Sequence, residues 1–476
     1  MNAPAPRHPS LMLMLLACAQ LIIALDSTII FVALPSIGAQ LQFSAGQLQW
    51  VVSAYSVAFG GCLLLGGRCA DLLGRRRFYR LGQTLFAVAS LAGGLSADPW
   101  LLVGARAVQG VGAALLFPAT LALINTQYAE GAPRNRALAI WSAASAAGLS
   151  LGAFLGGGLT QWLGWEAVFL VCVPLAGGCA WAAGAWIPAD APRGGQRHFD
   201  LAGATCVTLG ASLLVFALVQ GPAWGWGSLP VAGCTLAGLA LLGLFLWVER
   251  QSPAPLMTLR LLRQRSLVLS MLLSAIFMSS YGVQYYFLAL YYQQVYGYSV
   301  LQSGLAFVPA TLVCTLGIAL AERSLARFGL RFTLTCGLLA GALGIAWQTL
   351  GLAQGLAYPQ LLPAIALLSI GQGMTWVAIW VCAGQGIDAA EQGVASGMAS
   401  TVQQIGGALG LALLVWLGNR GLGAAPPLAA QAAAWQLALW SSAALAALGA
   451  LLALFWPSLG SPREPAARAS GELPLT

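Results

Sequence analysis

The sequence contains no lysine and only two histidines, and Asp, Glu, Lys and Arg together make up 7% of its 476 residues. A soluble globular chain carries about 25% charged residues. A chain this poor in charge cannot cover a water-facing surface, so most of its solvent must be lipid. Paired metal-ligand spacings are also lacking: the ten cysteines fall mostly inside apolar runs. They read as small packing residues, and no metal site is expected. No nucleotide-binding loop follows a strand-like run, and no polar stretch is long enough for an ATPase domain. No catalytic triad is visible, so neither enzyme chemistry nor a cofactor is expected.

What the chain has instead is apolar length. Hydrophobic residues make up 59% and glycine contributes 58 residues. The apolar runs are continuous over about twenty residues, enough for a helix to cross the hydrocarbon core. Barrel strands would alternate polar and apolar residues over about ten positions. The runs fall at 10–33, 47–67, 78–96, 100–124, 137–159, 165–187, 201–220, 229–248, 267–290, 301–320, 332–352, 361–382, 394–417 and 435–456. No small-residue cleavage site follows the first run, which reads as a retained helix rather than a signal peptide.

The arginines test that count. With the N-terminus inside and fourteen crossings, 19 of the 21 arginines fall in inside segments. Arg106 lies within a helix and Arg420 lies outside. Adding or removing one helix would send half of them to the wrong side, against the positive-inside rule. The net charge of +8 therefore reads as a topology signal rather than a nucleic-acid surface. The expected organisation is a six-helix bundle over 1–187, two inserted helices with cytoplasmic linkers over 188–266, a second bundle over 267–456, and a disordered tail over 457–476. Both termini are then cytoplasmic. A weak internal repeat supports two halves: Gly67 to Arg77 joins the second and third helices, and a degraded copy, Glu322 to Arg331, joins the tenth and eleventh. Ala326 stands in the copy where Asp71 stands in the first.

Several segments resemble a known family. Gly67-Arg68-Cys69-Ala70-Asp71-Leu72-Leu73-Gly74-Arg75-Arg76-Arg77 is similar to the hallmark loop of the major facilitator superfamily. Leu25-Asp26-Ser27-Thr28-Ile29-Ile30-Phe31-Val32-Ala33-Leu34-Pro35 resembles the first-helix motif of its fourteen-helix drug:proton antiporters. Arg106 to Gly112, Gly148 to Gly157, Tyr291 to Pro309 and Gly393 to Gly410 fit the same subfamily. The pattern departs at Phe31, where asparagine is usual, at Ala153 for proline, at Glu166-Ala167 for Arg-Trp, and at Cys172 for asparagine. The resemblance implies an all-α membrane fold, two six-helix bundles around a cavity plus two extra helices. It also implies export driven by proton entry.

Asp26 and Arg106 are the candidates for proton coupling. An ionised carboxylate at the bilayer centre costs about 2.5–3.5 kcal/mol. A buried carboxyl group is well placed to hold either a proton or a cationic substrate. The competing reading is a solvated carboxylate near the outer rim, since Pro35 follows nine residues later. Arg106 remains charged inside a span and needs acceptors there; the resemblance links it to proton coupling. Gln109, at i+3, is its expected companion and a cavity candidate. Gly67, Asp71, Gly74 and Arg75 read as a conformational motif, with topology alone as the alternative for the arginines. Ala144, Gly148, Gly152 and Gly156 form a small-residue face for close helix packing; the resemblance adds a role against proton leak.

The cavity candidates are Tyr281 and Tyr285, Trp376 and Trp380, and Gln403, with Gln404 beside it. Gln284 lies within the aromatic cluster that ends helix nine. Aromatic faces could hold a lipophilic cation. An interfacial belt is the competing account, preferred for Tyr291 and Tyr292. The expected function is proton-driven export of lipophilic, monovalent cationic or neutral compounds such as drugs, by alternating access. The alternatives are transport of one physiological metabolite and, remotely, a membrane receptor or enzyme. Expected partners are a small-molecule substrate, protons and the lipid bilayer of a bacterial inner membrane, with no nucleic acid. A monomer is expected; an accessory protein for passage across an outer membrane stays open.

Overall fold

The computed structural model describes residues 8–128, 132–189, 201–252, 259–387, 392–420 and 427–455. Within them every regular element is helical, as lipid demands of a backbone that must satisfy its own hydrogen bonds. The elements are α1 (Pro9–Gln40), α2 (Ala45–Leu48), α3 (Trp50–Leu73), α4 (Arg75–Gly94), α5 (Pro99–Gln127), α6 (Ala132–Leu163), α7 (Glu166–Leu170) and α8 (Cys172–Trp186). They continue as α9 (Leu201–Trp224), α10 (Leu229–Gln251), α11 (Arg265–Phe277), α12 (Val283–Gln294), α13 (Val300–Ala353), α14 (Tyr358–Gly384), α15 (Gln392–Asn419) and α16 (Leu428–Phe455). A 3-10 turn at Leu259–Arg263 precedes α11, and a π-helical turn at Met278–Gly282 joins α11 to α12. The expected tail over 457–476 lies outside the described residues.

Among the described residues, ten helices are long and apolar enough to cross a membrane. This is a multi-pass membrane protein. Its polarity is reversed relative to a soluble protein: Trp181 is 82% exposed, whereas the charged Asp26 and Arg106 are buried. Contiguous exposed apolar surface of this kind suits a lipid solvent.

Local chemistry sets the helix ends. Proline occupies the first turn of α1, α5, α10 and α14, where its missing N–H costs nothing. Asp98 caps α5 by accepting from the Trp100 and Leu101 amides, both at 2.9 Å. Ser299 caps α13 in a capping box with Gln302. The two repeated loops break their helices with the same device. Gly74 separates α3 from α4 at φ 117°, and Gly329 interrupts α13 at φ 80°. A side chain would be strained at either position. Around Gly329 the hydrogen bonding is continuous enough that the two expected spans form one 54-residue element with a kink.

α1 packs along α6, α3 along α5, and α4 against α5 and α8. Later in the chain α13 packs with α14 and α16, and α11 with α14 and α15. These groups meet where α6 touches α13 and α3 touches α15. The α9–α10 pair leans through α9 on α3 and α15.

Candidate functional site

α1 continues through Pro35 to Gln40, past its expected end, so Asp26 lies near its middle rather than at a rim. A proline within a long helix is accommodated where neighbouring helices support the freed backbone groups. Asp26 is 2% exposed and Arg106, from α5, 1% exposed. Arg106 Nη1 donates to Asp26 Oδ2 at 2.7 Å. The same nitrogen donates to Gln109 Oε1 at 2.8 Å, and Arg106 Nε donates to the Val51 carbonyl of α3 at 2.8 Å. Gln109 Nε2 donates to Ser90 Oγ of α4 at 2.8 Å and reaches Asp26 Oδ1 at 3.4 Å. The guanidinium lies 4.5 Å from the centre of the Tyr55 ring.

The result is a neutral, closed network that joins α1, α3, α4 and α5. Removing two charges from water costs several kcal/mol per ion, and their attraction offsets this only with good geometry and satisfied remaining donors. Here the arginine has a carboxylate, an amide oxygen, a carbonyl and an aromatic face. Gln109 is therefore part of the ion-pair network, enclosed within it rather than lining a cavity. This corrects its expected cavity position; its i+3 spacing to Arg106 serves the pair instead.

The small-residue face of α6 meets α1 beside Asp26. A β-carbon on Gly148 would lie 2.6 Å from the Leu21 carbonyl oxygen, and one on Gly156 2.8 Å from that of Ile29. Gly152 faces the Leu25 carbonyl and the Thr28 hydroxyl. Thr28 Oγ1 also donates to the Leu149 carbonyl at 3.0 Å, a contact that needs this closeness. Ala144 lies on the same helix, half-buried.

At the loop between α3 and α4, where a conformational motif is expected, Gly67 packs toward Pro118, and Arg76 donates to the Gly184 carbonyl of α8. Arg75 opens α4. The Asp71 side chain lies outside the described residues.

A cavity of about 370 Å³ opens among α12, α13, α14 and the π turn. Tyr281 and Tyr285 line it together with Gln284, Tyr292, Gln348 and Gln372. A second cavity, of about 290 Å³, includes Phe31, Val52, Met278 and Leu411. Trp376 is 39% exposed and packs against Phe277 and Trp380; neither tryptophan lines either of these two cavities. Gln403 is buried in α15 and lines neither cavity, although Gly407 and Ala408 of the same helix line the second. Tyr291 and Tyr292 correct the expected interfacial belt, for both are buried. Tyr291 donates to the Leu352 carbonyl at 2.9 Å, and Tyr292 packs among Tyr296, Tyr298, Phe307 and Tyr358. Ser90, Tyr55, Gln348 and Gln372 went unnamed in the sequence reading. The glutamines carried a usable signal, as amides inside runs 332–352 and 361–382; the serine and tyrosine did not.

The ion pair is sealed within a lipid-facing helical assembly, and a separate amide-lined cavity lies among the C-terminal helices. The sequence profile of the Major Facilitator Superfamily matches residues 16–411. The chain belongs to that superfamily. It is 37% identical over 420 residues to a cephamycin export protein of Amycolatopsis lactamdurans, covering 87% of this chain and 86% of that one. It is also 37% identical to a puromycin resistance protein of Streptomyces alboniger, covering 87% and 82%. To a tetracenomycin C resistance and export protein of Streptomyces glaucescens it is 32% identical, covering 84% and 74%. The fold is similar to that of a D-xylose–proton symporter, with TM-score 0.67 at 16% identity, covering 93% of this chain and 97% of the other.

Proposed function

We propose that this transporter exports lipophilic antibiotic-like compounds in exchange for protons, by alternating access. The observation that carries the proposal is the sealed Asp26–Arg106 pair at 2.7 Å. While Asp26 is ionised, Arg106 ties α1 to α5 and, through the Val51 carbonyl, to α3. A proton on Asp26 removes the charge that Arg106 pairs with. Arg106 keeps its contacts to Gln109, Val51 and Tyr55, so α1 is the element released. The smooth face of α6 lets α1 shift against it. Proton entry thereby drives the change of access, and relatives named for antibiotic export and resistance support the outward direction for the drug.

The proposal includes fourteen spans in the bacterial inner membrane with both termini cytoplasmic. Dividing α13 at Gly329 and adding α3, α4 and α9 to the ten strongly apolar helices reaches that count. α4 falls short of the ten because it begins with Arg75, Arg76, Arg77 and Arg80. The packing of α1 to α8 and of α11 to α16, with α9 and α10 leaning on both, supports six plus six plus two. The halves meet at the ends of α6 and α13 remote from the arginine-rich turns: the Leu301 amide donates to Gln161 Oε1 at 3.1 Å, and Gly304 abuts Ala153. That supports a state closed to the outside. The conformational loop, Gly67 to Arg75, would then act as the cytoplasmic hinge and latch.

Efflux from cells lacking their own drug pumps tests this. Wild-type cells should lose efflux on adding a proton ionophore, and Asp26→Asn should lose it without one. Ionophore-resistant efflux would refute antiport. The cited relatives are named for single antibiotics, which favours a dedicated exporter as the second reading; protection against one compound alone would identify it.

A further inference from the structure

The cavity among α12, α13, α14 and the π turn has a chemistry of its own. Among the described residues that line it, none is Asp, Glu, Lys, Arg or His. The walls are aromatic faces and amides instead.

Most of the polar groups are already engaged. Tyr281 donates to the Gly337 carbonyl at 3.3 Å, and Gln348 Nε2 donates to the Tyr292 hydroxyl at 3.3 Å. Ser369 donates to the Ile365 carbonyl at 2.7 Å. Gln284 is the exception. Its side chain is 3% exposed, and its Nε2 has no hydrogen-bond partner. A buried donor left unsatisfied is costly, and a ligand acceptor would relieve it.

The sign of that group discriminates between ligands. An N–H is the positive end of a dipole, so it attracts a carbonyl-type acceptor and repels a cation. With no carboxylate in the walls, a cation here would have only aromatic faces to stabilise it. The lining would also leave a carboxylate ligand without a cationic partner.

We propose that this cavity binds an uncharged aromatic portion of the substrate through a carbonyl-type acceptor held by Gln284. The proposal deepens the export reading by assigning a substrate class. It also separates labour between the halves: the N-terminal helices hold the titratable pair, and the C-terminal helices recognise a neutral group. Phe31 stands between the two, five residues beyond Asp26 on α1, with its ring stacked on Tyr285 at 5.9 Å and 25°.

The test is equilibrium binding to the purified full chain in lipid nanodiscs without a pH gradient. The probe is tetracenomycin C, an aromatic ketone without permanent charge; the competitor is the lipophilic cation tetraphenylphosphonium. Wild type should bind the probe, and saturating tetraphenylphosphonium should leave its Kd unchanged. Gln284→Met, similar in shape but without a donor, should weaken the Kd about tenfold. Gln284→Glu should lose the probe and gain tetraphenylphosphonium binding. Both variants are close in volume to glutamine, so either decides if the other fails to fold. Absent wild-type binding, displacement by the cation, or wild-type affinity in Gln284→Met would overturn the assignment. Transport plays no part in the assay, so binding without proton-driven efflux would refute export and leave this site standing.

Discussion

Arg106 is held by four different groups, and only one of them can lose its charge. That asymmetry is why we propose that the pair acts as a switch rather than a simple tie. Lysine would keep the charge of Arg106 but not its planar fork, so it could not serve Asp26, Gln109 and the Val51 carbonyl together. Removing the partner altogether leaves a buried carboxylate uncompensated, a loss of about 3–5 kcal/mol. Arg106→Met should therefore lower the thermal unfolding midpoint of the purified protein markedly, with Arg106→Lys intermediate. A midpoint for Arg106→Met equal to wild type would show that the pair bears no structural load. The Asp26 and Arg106 candidates were legible because a charge within an apolar run is costly and stands out. Ser90 and Tyr55 were not, because serine and tyrosine occur in spans for many reasons. Only the fold brings them to the pair.

Among the elements, α1 links the ion pair to both α6 and α12. It bears Asp26, packs on the glycine face of α6, and reaches α12 through the Phe31–Tyr285 stack and the Gln293 Nε2 bond to the Val32 carbonyl at 2.9 Å. Gly152 is the tightest point of the α1–α6 contact. Gly152→Val would push α6 away from Leu25 and Thr28, at a cost of about 1–3 kcal/mol for overpacking. The expected outcome is weaker efflux together with a lower unfolding midpoint. Unchanged values for both would show that the helices need not lie so close. The four-residue spacing of Gly148, Gly152 and Gly156 was readable as a packing face, but its partner was not, since spacing gives a face and no neighbour. The glycines of the repeated loops were readable in the same way: Gly74 and Gly329 both take positive φ. Helix boundaries were less so. α1 outran its expected end because a proline in a supported helix bends it without ending it.

At the scale of the molecule, the proposal assigns the titratable pair to the N-terminal helices and substrate recognition to the C-terminal ones. The helical membrane architecture could be read from hydropathy and arginine placement, because lipid constrains the backbone so strongly. The C-terminal cavity could be read only in part. Tyr281 and Tyr285 were named for their shared face and line the first cavity, whereas Trp376 and Trp380, with the same spacing, line neither of the two cavities. Identical spacing on two helices says nothing about which face each turns inward. The central claim concerns Asp26 as the site where proton and conformation meet. Its most direct test is substrate flux into proteoliposomes under an imposed pH gradient, with tetracenomycin C as the transported compound. Wild type should accumulate the compound against its gradient and lose that accumulation when the pH gradient is collapsed. Asp26→Asn should show no pH-driven accumulation yet still equilibrate the compound. Gradient-driven accumulation by Asp26→Asn at the wild-type level would contradict the account.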